Sequence, residues 1–189
     1  MQVRYLRCMN FATGFNRVVW PHAALSAVLV VSIQLVAYIL GVDAMVSPWL
    51  SLCVSLAFPL GMSLALVALR RDEGGVLPFR RGFLHAWGVA AAMQAAQTAY
   101  QLLLFHAIAP GCVEPVVQAT LDSLDERLGA FTSAIPDSVA FRNQMEISLR
   151  DGFSVAGLLL SGLWGALFAA AGAVVVALVF RRKPVSEFH

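Results

Sequence analysis

Charge is what this 189-residue chain has least of, and the places where it is missing set the class of protein. Only 13% of the residues are Asp, Glu, Lys or Arg, against about 25% in an ordinary soluble domain, while 59% are hydrophobic. None of the four charged types occurs from Val18 to Val42, Ala44 to Leu69, Gly82 to Val113 or Gly152 to Phe180. About 20 apolar residues in a helix cross the roughly 30 Å hydrocarbon layer, so each stretch is long enough to span a membrane. The same lack removes the usual signature of proton relays, ion pathways and voltage sensors, which need intramembrane charge.

Cysteine is scarce too. Cys8, Cys53 and Cys112 are expected in the cytoplasm, in the membrane and outside, so no zinc motif, redox motif or disulfide can join them within the chain. His85 and His106 sit at opposite ends of the third span, about 31 Å apart by helical rise, and cannot share a metal. His22 and His85 meet only as two imidazoles at the cytoplasmic edge, without a carboxylate or thiol. No nucleophile elbow, phosphate-binding glycine loop or intramembrane HExxH is present, and Arg71-Asp72-Glu73-Gly74-Gly75 reads as a tight solvated turn. The expectation is a non-enzyme without metal or cofactor.

What is present is apolar and helical in period. Lipid leaves no partner for backbone groups outside a helix or a closed barrel, and these runs lack strand-like alternation. The sequence therefore predicts an all-α protein. It is a four-helix transmembrane bundle in one domain over residues 1–189, with spans at about 20–41, 47–69, 83–108 and 153–180. The first apolar run is too long for a signal peptide and lacks a small-x-small cleavage site before Asp43, so it is kept as a crossing. Cations stay on the cytoplasmic side of such proteins. Arg4, Arg7, Arg17, Arg70, Arg71, Arg80, Arg81, Arg181, Arg182 and Lys183 share one side with three acids, whereas the other side has three cations against eight acids. Both termini are accordingly expected in the cytoplasm. The basic face is read as a topology determinant that meets anionic lipid at most; nucleic acid is not an expected partner.

Between the third and fourth spans, residues 113–150 repeat as a helix does. Val117, Leu121, Leu124 and Leu128 form one stripe opposite Asp122, Asp125, Glu126 and Arg127, with Gly129 as a stop. Ser133 and Pro136 suit a new start, after which Phe141, Met145 and Leu149 recur every four residues. This predicts an extracytoplasmic pair of short amphipathic helices capping the bundle. Their apolar stripes either pack on each other and on the membrane or form a receptor-like surface for a periplasmic partner.

Within the spans, Gln94, Gln97 and Gln101 fall within about 60° of one another on the third helix, and Gln34 lies at comparable depth on the first. Amides in hydrocarbon need partners, so they are expected to face the interior, either as interhelical glue or as the lining of a polar cavity. Gly157, Ser161, Gly165, Ala169 and Ala173 form a small-residue ridge on the fourth helix, and Cys53, Ala57, Gly61 and Ala65 form one on the second; either can pack within the subunit or against a second copy. Pro59 permits a kink by freeing the Ser55 carbonyl. Trp20, Trp49 and Trp87 fit interface anchors, and Trp164 is expected to fill core space.

The order of features resembles an uncharacterised family of small bacterial four-helix inner-membrane proteins, labelled only as a domain of unknown function. The likeness runs from the loop Arg70 to Gly75 through Phe79, Gly82, Phe83 and Gly88 to Tyr100, Phe105, Ile108 and Pro110, and on through the acidic insert, the small-residue fourth helix and the basic tail. Arg stands here where the family is often Lys-rich, and Ala109 precedes the proline in place of an acid. The resemblance implies a bacterial inner-membrane location and brings no catalytic residues. The leading expectation is a structural or protein-interaction module meeting the bilayer and a second copy or another membrane or periplasmic protein. The alternative is small-molecule or lipid binding or transport through the glutamine-lined interior.

Overall fold

A computed structural model of the chain describes residues 20–128 and 138–181. Arg4, Arg7, Arg17, Cys8, Gly129, Ser133, Pro136, Arg182 and Lys183 lie outside them. Every regular element among the described residues is helical. In chain order these are α1 (Trp20–Leu40), α2 (Val42–Val46), α3 (Pro48–Asp72), α4 (Phe79–Leu103), α5 (Val113–Leu128), α6 (Ser138–Gly152) and α7 (Val155–Phe180). Three of them, α1, α3 and α7, are long and apolar enough to cross a membrane, and α4 becomes a fourth when its continuation is counted.

The helix ends follow from local chemistry. Gly41, at φ 107°, stops α1 in a conformation that side chains avoid, and its N–H still reaches the Ala37 and Tyr38 carbonyls at 3.2 Å. Ser47 caps α3, its Oγ accepting from Trp49 N at 3.3 Å, and Pro48 takes the first helical position, where no N–H is needed. Gly74, at φ 67°, closes the other end of α3 as a Schellman turn. Gly75 N donates to Arg70 O at 2.9 Å and Gly74 N to Arg71 O at 3.4 Å.

The end of α4 is different. Leu104–Ile108 widens into a π-helical turn in which Ala109 N donates to Leu104 O at 2.7 Å. Pro110 has no N–H to continue the ladder and pushes Ala109 out of helical geometry, to φ −142° and ψ 63°. The chain then bends by 102° into α5, which runs across the end of the long helices.

Packing gives the four long helices unequal positions. α4 touches α1, α3 and α7, and α3 also touches all the others, whereas α1 and α7 flank this central pair on opposite sides. Helices consecutive in the bundle run antiparallel, as Gly82 facing Ala177 and Gly162 facing Thr98 show for α4 and α7, whereas α1 lies parallel to α4. The loop Glu73 to Pro78 and Arg181 thus share one end, while α2, α5 and α6 gather at the other. The core forms three apolar clusters along the bundle's length. One, near the loop, holds Met62, Leu66, Leu69, Leu77, Ala86, Ala90 and Ala173. A middle one joins Ala23, Val30, Ala57, Ala65, Val89 and Met93, and one under the cap joins Leu104, Phe105, Val116 and Leu158.

Contact in hydrocarbon comes from close approach of small residues rather than from water exclusion. On α7 the covered stripe is Leu158, Gly162, Gly165, Ala169, Ala173 and Ala177, with Ser161 exposed. Steps of four residues overshoot a full turn by 40° each, so the expected ridge winds about 160° from Gly157 to Ala173 and leaves the α4 side at its cap end. Gly157 instead packs on the turn before α7: a Cβ there would sit 2.1 Å from the Asp151 carbonyl. On α3, Gly61 fits against Ser26 of α1 and Met93 of α4, and Cys53 is exposed.

Two tryptophans differ from expectation. Trp164 does not fill core space; it is 53% exposed beside Phe168 on the outer face of α7, because a flanking helix has only one covered side. Trp87 does not end in an anchoring role alone, since its Nε1 donates to the Ala166 carbonyl of α7 at 3.1 Å. The glycine contacts have a measurable consequence. Gly157→Ala and Gly162→Ala should each lower stability by about 1–3 kcal/mol through overpacking, read as a lower melting temperature in detergent. Ser161→Ala should leave it unchanged; a matching loss at all three positions would contradict the assigned stripe.

Candidate functional site

A polar layer separates the middle and cap-end clusters. Gln34 on α1 and Gln97, Thr98, Tyr100 and Gln101 on α4 sit between Val30 and Met93 on one side and Leu104 and Phe105 on the other. Beside this layer lies a cavity of about 360 Å³ walled by Gln34, Tyr100 and Gln101 toward the bundle and by Met45, Val46, Phe105, Val116, Leu149 and Phe153 toward the cap. Leu50 and the exposed Ser51 line it from the first turn of α3, and Thr120 from α5. Thr120 is already satisfied, donating to the Val116 carbonyl at 2.7 Å.

Gln34 Oε1, Gln97 Oε1 and Tyr100 Oη are shielded from solvent and find no hydrogen-bond partner within the chain. Buried polar atoms are nearly always paired, and leaving one unmet costs about 1–3 kcal/mol. Three such atoms fall in this one layer.

Of the four glutamines singled out by sequence, Gln34 and Gln101 meet at this cavity and Gln97 belongs to the same layer. Gln94 does not join them. Its amide packs on α7 where a Gly165 side chain would be, 2.6 Å from a Cβ built there, and it lines a separate groove of about 490 Å³ between α3 and α7 beside Pro59. Tyr100 was missed as a site residue although it stands three residues after Gln97, on the same stripe. Phe105 and Phe153, which meet edge to face with centroids 4.8 Å apart, come from distant segments and carry no local signal.

The cap is held over the cavity by charge. Arg142 of α6 pairs with Asp122, at 3.2 Å, and with Asp125; Arg150 pairs with Glu114 at 2.8 Å and Glu146 at 2.7 Å. Exposed pairs of this kind contribute about 0–1 kcal/mol each, so their effect is to orient α6 on α5 rather than to stabilise the fold. Val117 and Leu121 of the expected stripe are buried, whereas Phe141 is exposed and Met145 and Leu149 half-buried.

Other candidate chemistry stays dispersed. Among the described residues no three His, Cys, Asp or Glu side chains cluster as metal ligands. His85 is fully buried with Nδ1 2.8 Å from the Arg81 carbonyl; a carbonyl only accepts, so this nitrogen carries the proton. Near the loop, Arg81 Nε pairs with Glu73 Oε1 at 2.9 Å, and the Glu73 side chain is only 15% exposed. Burial pushes the Glu73 carboxyl above its ordinary range; Arg81 opposes this and neighbouring Asp72 adds to it.

Described residues that are helical throughout their regular elements, with three to four helices long and apolar enough to cross a membrane, a polar layer inside them and two further helices across one end, make a membrane-protein architecture. The chain belongs to the family described as Protein of unknown function (DUF4199), whose family model matches residues 22–182 and so takes in nearly all of α1 and every later helix. No curated protein and no solved structure matches it.

The Glu73 environment gives a pH dependence with a definite sign. A carboxyl raised in the fold binds protons more tightly there than in the unfolded chain, so its stabilising share is fullest below the ordinary carboxylate range and fades as pH rises through the raised value. The difference in melting temperature between Glu73→Gln and the parent chain should grow in the variant's favour over that rise. A flat difference from acidic to neutral pH would mean that Arg81 cancels the burial.

Proposed function

We propose that the chain is a non-enzymatic, multi-pass four-helix transmembrane bundle of a bacterial inner membrane that holds a small uncharged molecule in the cavity beneath its cap. In this reading α5 and α6 are extracytoplasmic and both termini are cytoplasmic. The observation that carries binding is the pair of unpaired oxygens on Gln34 and Tyr100, two residues that line a cavity of about 360 Å³, with Gln97 Oε1 also unmet in the layer beside it. That volume is at the small end of the roughly 300–1,000 Å³ of ligand pockets. A purely structural polar layer would be expected to satisfy itself, because an unmet amide weakens the bundle it is meant to join.

A role as a protein-interaction module is the second reading. The small-residue stripes of α3 and α7 are engaged with α1 and α4 of the same chain, which leaves the outer face of α7 as its support. There Leu160, Leu163, Trp164, Leu167 and Phe168 stand exposed, a surface that suits lipid or the helix of a second membrane protein.

Orientation rests on Arg70, Arg71, Arg80, Arg81 and Arg181 gathering at the loop end, opposite Asp43 and the acids of α5 and α6. Cys112 should react with an impermeant thiol reagent in intact cells and Cys8 only after lysis; the reverse pattern would turn the protein over.

Binding is tested with the double variant Gln34→Leu, Tyr100→Phe. With two of the three unmet atoms gone it should keep its helix content and melt higher in detergent by the equivalent of about 1–3 kcal/mol. It should also lose any small molecule that native mass spectrometry finds on the parent protein taken from membranes. A lower melting point would mark the pair as structural glue and end the binding reading.

A further inference from the structure

The cavity divides chemically along its length. Its cap side is apolar and partly aromatic, with Phe105 and Phe153 at 70° to one another, and its bundle side carries the amides of Gln34 and Gln101 and the Tyr100 hydroxyl. Among the described residues no Asp, Glu, Lys or Arg lines it. Arg150, next to the lining residue Leu149, is occupied by Glu114 and Glu146.

Resting on the binding reading above, we propose that this cavity selects an uncharged molecule of one or two fused rings bearing an O–H or N–H donor, of the phenol or indole kind. Its ring lies against Phe105 and Phe153 and its donor meets the Gln34 and Tyr100 end. Three constraints lead there. Size comes first: about 360 Å³ is more than twice the roughly 150 Å³ that holds a benzene ring, which accommodates one ring with substituents or two fused rings. Charge comes second, since a carboxylate or ammonium would shed its hydration with no opposite charge in the lining to replace it.

The third is the polar end. Of the lining residues, Gln34 has an acceptor, Oε1, without a donor, and Tyr100 Oη is unpaired. The terminal torsion of a glutamine is broad and roughly two-fold, so the Gln34 amide turns its oxygen toward a donor in the cavity at little cost. A hydrocarbon of the same shape leaves these atoms unmet, which is where discrimination arises. Aromatic side chains prefer edge-to-face and offset contacts, and the angled Phe105 and Phe153 rings offer both to a flat guest.

The test uses the full chain in lipid nanodiscs, protein-free nanodiscs as the blank, and four probes: phenol, indole, toluene and benzoate. Dissociation constants come from saturation-transfer NMR. Phenol and indole should bind, toluene at least about tenfold more weakly, and benzoate not at all. The variant Gln34→Leu, Tyr100→Phe, checked for unchanged helix content, should lose the preference for phenol over toluene. Toluene binding as tightly as phenol, benzoate binding, or a preference that survives in the variant each overturns the proposed selectivity. If no probe binds while the parent protein still retains a co-purifying molecule that the variant loses, the ligand class fails and the binding reading survives. If neither probe nor co-purifying molecule is found, both fall.

Discussion

A helix can carry three glutamines and a histidine through hydrocarbon only if other helices cover them, and that requirement organises this molecule. α4 holds Gln94, Gln97, Gln101 and His85 and is the helix against which α1, α3 and α7 all pack. The helices around it are more lipophilic, with mean hydropathy of 2.3, 2.2 and 2.4 over the most apolar windows of α1, α3 and α7, whereas α4 reaches membrane-spanning apolarity only together with its continuation. Polarity is thus placed by position in the bundle, with the costliest groups on the most covered helix.

The same logic explains why the core comes in separate clusters. Apolar packing by Met62, Leu66 and Leu69 near the loop and by Val89 and Met93 in the middle gives way to an amide and hydroxyl layer before Leu104 and Phe105 resume it. That interruption falls where four segments distant in sequence converge, at the end of α1, the start of α3, the end of α4 and the underside of α5. A cavity at such a junction needs a roof. Arg142 and Arg150 supply its alignment by tying α6 to the acidic side of α5.

Much of the architecture was legible in the chain because missing charge is a strong signal in a membrane. The long helices begin and end within a few residues of the ion-free stretches, except that α4 stops at Leu103 before the widened turn and Pro110, and Ser47, Gly41 and Gly74–Gly75 act at the boundaries as such residues should. The candidate site was legible only in part. Gln34, Gln97 and Gln101 were found by period and depth, whereas the parting of Gln94 from them depends on the fit of Gly165 against it, which no spacing rule on one helix contains. The α7 stripe was misplaced at its cap end because a ridge in steps of four drifts around the helix, and Trp164 because a sequence does not say which helix will lie on the flank. Phe105, Phe153 and Ser51 are brought together by tertiary folding alone.

The widened turn at Leu104–Ile108 holds one more residue than an α-helical turn of the same height would. Each residue in a helix advances the azimuth by about 100°. Shortening that turn by one would therefore swivel α5 about the α4 axis and carry Val116 and Thr120 away from Gln34, although no contact had been altered directly. The facing of the roof is thus written as a residue count in the coil below it, which makes this short segment a register pin for the whole upper half of the molecule.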